Sequence, residues 1–436
     1  MAKTVAAATL GCKVNMYDTE SILVRFREAG YAVRDFNDAA DVYIVNTCTV
    51  TAVSDKKSRQ MVRRSAGRGG VVVVTGCFAQ SKADEALAIP GVSIVAGIKE
   101  RGRIVELVET FLREGGIRCE VTGYNRDNKF DNMPVSGLII GAGGRTRPVV
   151  KIQDGCDNFC SYCVIPMARG AARSRRIEDI ADEVRGLAAA GAREVVLSGI
   201  SAAAYGVDTG QKLTDVLYAV AGVADIAGIS RIRLSSIGPA AVTPDFIKAL
   251  EQIPAICDHV HLSLQSGCDT TLRRMNRKYT CAEYAAAAAA IRAARPGVAI
   301  TTDIIAGFPG ESDADFVESL NFAAEMGFAD MHVFPFSRRE GTEAATMPDQ
   351  IPTKIRKERA RRMIALGDEL RRRFVRGNLG RVVPVLFESV VNGAYAGLTP
   401  NYIEVLVESA EDLRGRIFDV LLSELRNDHV TGILRP

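Results

Sequence analysis

Cys156, Cys160 and Cys163 fall within eight residues, directly after the apolar run 149–153, and no other feature of the sequence constrains its fold as tightly. Thiolates are soft ligands of the kind that iron–sulfur clusters and zinc select. A closed structural zinc site takes four protein ligands, and this stretch offers no fourth Cys or His. Three readings remain: an iron–sulfur cluster with one iron left open, a zinc site, or core cysteines grouped by chance. The spacing and the place after a strand favour the first.

The surrounding pattern says what kind of strand this is. Residues 149–153 are the first of six strand-like runs, followed by 194–198, 231–235, 259–264, 299–305 and 332–336, with helical segments between them. Six βα units in a row predict a partial (β/α) barrel. A long basic helix at 352–377 closes this domain, which takes in residues 147–378. Ahead of it, runs 4–10, 41–46 and 71–75 read as buried strands, with helical 18–30 and 54–68 between them. That order predicts an N-terminal parallel-sheet α/β domain over residues 1–115. Residues 116–146 are rich in Gly, Asn and Asp, as in Gly123-Tyr124-Asn125-Arg126-Asp127-Asn128, and read as a linker. Residues 379–436 change texture again. Runs 382–387, 402–407 and 417–422 predict a small all-β barrel. The fold class expected is α/β with this C-terminal addition.

Composition narrows the setting. Hydrophobic residues make up 47% and charged residues 25%, ordinary for a globular chain with real cores. No apolar run approaches the ~18 residues of a membrane span, and Met1-Ala2-Lys3-Thr4 leads straight into a strand rather than a secretory leader. A cytoplasmic protein with no membrane association is expected. There, ten cysteines are better explained by metal binding or catalysis than by disulfides. The four histidines, His259, His261, His332 and His429, fit no nucleophilic triad, although His259 and His261 share a strand face.

Cys12, Cys48 and Cys77 lie far apart in sequence, yet each ends an expected N-terminal strand. In a parallel sheet joined by helical crossovers, the C-terminal strand ends share one edge. Three thiols would meet there beside helix N-termini, which stabilise negative charge. The alternative is three ordinary buried cysteines.

The segments Thr9-Leu10-Gly11-Cys12-Lys13-Val14-Asn15, Asn46-Thr47-Cys48-Thr49-Val50-Thr51 and Thr75-Gly76-Cys77-Phe78-Ala79-Gln80 resemble the three signature segments of the methylthiotransferase family. The Cys-x3-Cys-x2-Cys triplet resembles the radical S-adenosylmethionine (SAM) superfamily. The resemblance covers essentially the whole chain in the same domain order, with a C-terminal RNA-binding barrel called TRAM. It implies two [4Fe-4S] clusters as cofactors. One would be held by Cys156, Cys160 and Cys163, with its open iron taking S-adenosyl-L-methionine; the other would be held by Cys12, Cys48 and Cys77. It implies that Ser198, Gly199, Gln265, Gly307 and Gly310, in the Gly-rich turns after the barrel strands, line the SAM pocket. A reducing electron donor is implied as a partner. Cys119, Cys257, Cys268 and Cys281 match no ligand motif and read as packing or surface residues.

The family's branches modify isopentenyladenosine in tRNA, threonylcarbamoyladenosine in tRNA, or an aspartate of a ribosomal protein. Gly11-Cys12-Lys13-Val14-Asn15, Thr49-Val50-Thr51 with Lys57-Ser58-Arg59-Gln60, and His332-Val333-Phe334-Pro335-Phe336-Ser337 look most like the threonylcarbamoyl branch. The implied target is carbon 2 of that adenosine, in the anticodon loop. Basic segments agree with an RNA partner rather than DNA. Residues 354–376 hold ten Lys or Arg, and Lys56, Lys57, Arg59, Arg63, Arg64 and Arg68 follow the Cys48 segment. Tyr395, Asn401 and Tyr402 are candidates for base contact or for core packing. One departure is Ser201-Ala202-Ala203-Ala204, where that branch usually carries a His and Gly-containing stretch. The rival expectations are the other two branches and, more remotely, a non-catalytic iron–sulfur RNA-binding module.

Overall fold

The computed structural model describes residues 2–123, 129–135, 145–426 and 429–435. Residues 124–128 and 136–144 of the expected linker lie outside them.

The N-terminal unit runs β1 (Thr4–Thr9), α1 (Lys13–Glu28), β2 (Ala32–Arg34), β3 (Val42–Thr47), α2 (Ala52–Ala66), β4 (Val71–Gly76), α3 (Cys77–Ser81), α4 (Ala83–Leu87), β5 (Ile94–Ala96), α5 (Ile104–Glu114) and β6 (Arg118–Glu120). Its six strands are all parallel, in the order β2-β1-β3-β4-β5-β6. β3 and β4 are buried along their whole length, as Val- and Ile-rich strands covered on both faces must be. Two findings differ from the sequence reading. α1 begins at Lys13 rather than residue 18, because Cys12 stands at its N-cap with no side-chain cap to announce it. The expected linker at 116 starts with β6, which pairs with β5, and Met133 is packed into the core of this sheet.

The middle unit contains β7 (Val149–Asp154), α6 (Ile165–Arg169), β8 (Arg173–Ser174), α7 (Ile177–Ala189), β9 (Glu194–Gly199), α8 (Leu213–Ala227), β10 (Arg231–Leu234), α9 (Pro244–Gln252), β11 (His259–His261), α10 (Asp269–Arg274), α11 (Cys281–Ala294), β12 (Ala299–Ala306), α12 (Asp313–Met326), β13 (Asp330–Pro335) and α13 (Thr353–Arg376). The parallel strands β7-β9-β10 and β11-β12-β13 are joined by the bridges Ile232–Ile256 and Ile237–Leu262. Together they form the six-stranded open barrel wall. Its outer face is apolar: Val150, Ile152, Val195, Leu197, Ile232, Val260, Ile300 and Ile304 share one core with the helices. Alternation puts the polar residues Lys151, Gln153, Ser198, Arg233, His259, His261, Thr301, Asp303 and His332 on the opposite, inner face. A barrel lined this way is built to hold something other than its own side chains.

The C-terminal unit is a closed five-stranded barrel, β14-β15-β16-β18-β17. Its strands are β14 (Val382–Val391), β15 (Ala394–Leu398), β16 (Glu404–Val407), β17 (Ile417–Arg426) and β18 (His429–Leu434). β15 and β18 were not legible as strands. The expected strand at 402 begins at Glu404 instead, because Tyr402 takes a left-handed φ of 72°. This unit sits under the barrel wall. Arg231 donates to the carbonyls of Leu398 and Pro384, and Arg233 to those of Pro400 and Thr399. Tyr402 is stacked on His259 at 4.7 Å and overlaid by Arg233 and Arg147. It packs one ring face on the barrel floor and keeps 38% of its surface exposed.

Candidate active site

The barrel triplet follows β7. Gly155 precedes it with a φ of 74°, and a Cβ there would run into the Ala171 carbonyl. That close approach folds the loop back on itself, and Cys156 N–H donates to Gly170 O. Between the thiols, Phe159 has a φ of 45° and an exposed ring, and Asn276 holds its carbonyl at 2.8 Å. Ser161 is fixed by Met275 O and Arg274 O. Arg277 donates to the Cys160 sulfur at 3.2 Å. Burial pushes the Cys163 thiol up to about 12 and raises Cys156. Three thiols with a guanidinium beside them suit a cluster that takes them as thiolates. The residues around this loop that sequence reasoning missed, Arg277 and Asn276, come from the α10 end, more than a hundred residues away.

The other three thiols gather on one edge of the N-terminal sheet. Cys12, Cys48 and Cys77 each follow a strand of the N-terminal sheet and lie on one edge, close enough for their charges to act on one another. Gly11 has a φ of 103°, and a Cβ there would come within 3.0 Å of Cys48 Cβ and 3.1 Å of its sulfur. Asn15 ties the Cys12 and Cys48 loops together through Leu10 O at 2.8 Å and Thr47 O at 2.9 Å. Burial pushes Cys77 up to about 11, against the pull of Arg169. An all-sulfur donor set of three, cradled by a glycine that leaves no room for a side chain, fits a second iron–sulfur cluster.

The two sites are joined by α6. This short helix leaves the Cys163 loop and packs Ile165 and Ala168 against Cys77 and Ile98. At its end stands Arg169, fully buried, bonded to Asp154 at 2.8 Å, Asn15 at 2.5 Å and Asp18 at 3.2 Å. Lys151 bridges Asp18 and Asp154, and Arg101 contacts both. Burial alone would raise Asp154, but Arg169, Lys151 and Arg101 outweigh it and hold it well below the carboxylate range. On the opposite rim, Arg339 bonds Thr49 and Asp55 at 2.8 Å, and Ala52 N–H donates to Ser337. The thiol-bearing edge of the N-terminal sheet therefore faces the C-terminal ends of the barrel strands, and the two thiol sites share that side of the molecule.

The expected SAM-pocket residues occupy the same edge. Ser198 and Gly199 end β9, where Gln153 accepts Ser201 N–H. Gln265 is held at a φ of 73° by paired bonds with Asp303 O and Ile305 N–H. Gly307 and Gly310, both at positive φ, leave the space of a side chain to Arg356 and Arg274 of this chain. The departure at 201–204 is a single turn in which Ala202 enters the barrel core and Ser201, Ala203 and Ala204 stay half-buried.

Basic residues divide in the same way. Arg359 is buried against Glu311 and Asp313, and Arg356 reaches Phe336 O, so these two of the ten cations in α13 are structural. Lys354, Lys357, Arg361, Arg362, Arg372, Arg373 and Arg376 remain exposed, as do Lys56, Lys57, Arg63 and Arg64 on α2.

Residues 150–323 match the Radical SAM superfamily, and residues 4–97 match the Uncharacterized protein family UPF0004. The protein is thus of the radical SAM class, with a second thiol-bearing domain. It belongs to the methylthiotransferase family. It is 40% identical over 96% of its length to Threonylcarbamoyladenosine tRNA methylthiotransferase MtaB of Bacillus subtilis (strain 168), covering 93% of that protein. To tRNA-2-methylthio-N(6)-dimethylallyladenosine synthase of Geobacter sulfurreducens it is 37% identical, over 85% of this chain and 83% of that one. Among solved structures, the radical S-adenosylmethionine methyltransferase TsrM from Kitasatospora setae shares the fold, with a TM-score of 0.58 at 14% identity, over 79% of this chain and 74% of that one.

Proposed function

We propose that this enzyme adds a methylthio group to carbon 2 of N6-threonylcarbamoyladenosine in tRNA. The observation that carries the substrate is the 40% identity, nearly end to end, with the Bacillus subtilis protein named for that reaction. Cys156, Cys160 and Cys163 hold one [4Fe-4S] cluster, and Cys12, Cys48 and Cys77 hold the other. When bound, these clusters and SAM supply reductive cleavage of the sulfonium and a methylated sulfur for transfer, which an inert aromatic C–H bond requires.

The chain's own residues do the rest. Ser198, Gly199 and Gln265 line the SAM pocket, and Gly307 and Gly310 shape its rim. Arg277 steadies the Cys160 sulfur. The Arg169–Asp154–Asp18 network fixes the N-terminal edge over the barrel mouth and keeps water from the reacting groups. Exposed cations of α2 and α13 bind the phosphate backbone, and the C-terminal unit acts as a TRAM-type RNA-binding barrel. The protein works in the cytoplasm with a reducing electron donor.

Purified, reconstituted variants test this. Cys156→Ala is expected to abolish SAM cleavage. Cys12→Ala is expected to keep SAM cleavage and lose methylthio transfer. A Cys12→Ala protein that still makes product would overturn the assignment of the N-terminal thiols.

A further inference from the structure

The inner face of β11, β12 and β13 carries a chain of polar side chains that cluster binding does not use. Thr301 Oγ1 lies 3.0 Å from His259 Nε2 and 3.0 Å from His261 Nδ1. Asp303 meets the other side of the His261 ring at 3.3 Å. His332 is stacked on His261 with ring centroids 5.9 Å apart, and is itself exposed, as is Phe334 two residues on. The floor beneath is Tyr402 on buried His259, whose Nδ1 has no hydrogen-bond partner. Lys13, the residue after Cys12, is exposed at the start of α1, on the sheet edge that faces the barrel mouth, and adds positive charge to the surroundings of His259 and Tyr402. The lining offers hydrogen-bonding groups along the open barrel, with Lys13 as a cation near its mouth and Asp303 as a carboxylate beside His261.

Relatives at similar identity are named for adenosines with two unlike N6 substituents. A dimethylallyl group is wholly apolar. A threonylcarbamoyl group ends in a carboxylate and a hydroxyl. A carboxylate entering a barrel needs a charge partner, and a polar lining offered a prenyl group is left unpaired, which penalises that substrate strongly.

We propose that this lining is the specificity site for the N6 substituent: Lys13 and His332 take the threonyl carboxylate, and Asp303, set beside the His261 ring, accepts from the hydroxyl. The assignment rests on the threonylcarbamoyl reading above. The same carboxylate chemistry is present in the methionine part of SAM, so the test must separate the two.

The full-length reconstituted enzyme is assayed with tRNA carrying threonylcarbamoyladenosine and with tRNA carrying isopentenyladenosine, beside Lys13→Met, His332→Leu and Lys13→Arg. Iron content and SAM affinity are measured on each. Loss of one charge-assisted contact is expected to raise KM for the threonylcarbamoyl tRNA about ten-fold or more in Lys13→Met and His332→Leu, and to weaken binding of the matching anticodon stem-loop equally. Iron content, SAM affinity and 5′-deoxyadenosine yield are expected to stay at wild-type level. Lys13→Arg is expected to stay near wild type, and the preference over isopentenyl tRNA to narrow in both neutral variants. Unchanged KM in both neutral variants overturns the proposal, as does a fall in SAM affinity in step with KM. A wild-type enzyme that modifies only isopentenyl tRNA defeats the substrate reading itself, a distinct result visible before any variant is made.

Discussion

Replacing Arg169 with Met keeps the side chain's length and removes its charge. The guanidinium bonds Asp154, Asn15 and Asp18, all buried, and two of the three lie on the N-terminal sheet's side of the interface. Breaking a buried ion pair by deleting one partner costs about 3–5 kcal/mol. Lys151 and Arg101 stay against Asp18 and Asp154 and limit the uncompensated charge. The expected loss is therefore about 2–4 kcal/mol of unfolding free energy. Urea unfolding of the cluster-free chain, followed by circular dichroism because the sequence has no Trp, reads this directly. Arg169→Lys, which keeps the charge and loses the planar fork, is expected to fall between the two. A double-mutant cycle with Asn15→Ala is expected to return about 1 kcal/mol of coupling across the interface. A cost for Arg169→Met under about 0.5 kcal/mol, with no coupling to Asn15, would refute the view that this network clamps the domains.

Other perturbations follow from the same geometry. Gly11→Ala puts a Cβ against Cys48 at a φ of 103°, so purified protein is expected to bind about half the iron of wild type, the share of one cluster of two, and to retain SAM cleavage. Tyr402→Ala removes the ring stacked on His259 and, since that ring is only partly buried, should cost about 1–2 kcal/mol, with faster proteolysis between the barrel and the C-terminal unit. Asp18 and Asp154 lie below the ordinary value of 3.8 when folded. The unfolded chain then binds more protons in acid, so their stabilisation is full above that value and is lost as pH falls through their folded values. Calorimetry of the cluster-free chain is expected to show wild type losing its advantage over Asp154→Asn below about pH 4.

Much of this site was legible because its chemistry is local to strand ends. Cys156, Cys160 and Cys163 announce themselves by spacing, and Cys12, Cys48 and Cys77 by each ending an apolar run, so topology alone brings them together. What stayed hidden depends on partners distant in sequence. Nothing near Arg169 points to Asp18, and nothing near Arg277 points to Cys160. The basic helix read as one surface, yet Arg356 and Arg359 face inward, since a charge count does not say which face of a helix is buried. Tyr402 sat in a Gly-rich stretch typical of an exposed loop, and its left-handed φ and its stacking on His259 have no local signal. Short strands such as β6 and β15 lack enough residues to show a period.

Nucleoside mass spectrometry of tRNA from cells with and without this protein tests the central claim most directly. The account predicts that the 2-methylthio form disappears on deletion while N6-threonylcarbamoyladenosine accumulates, and that isopentenyladenosine derivatives keep their levels. An unchanged threonylcarbamoyl profile would contradict it.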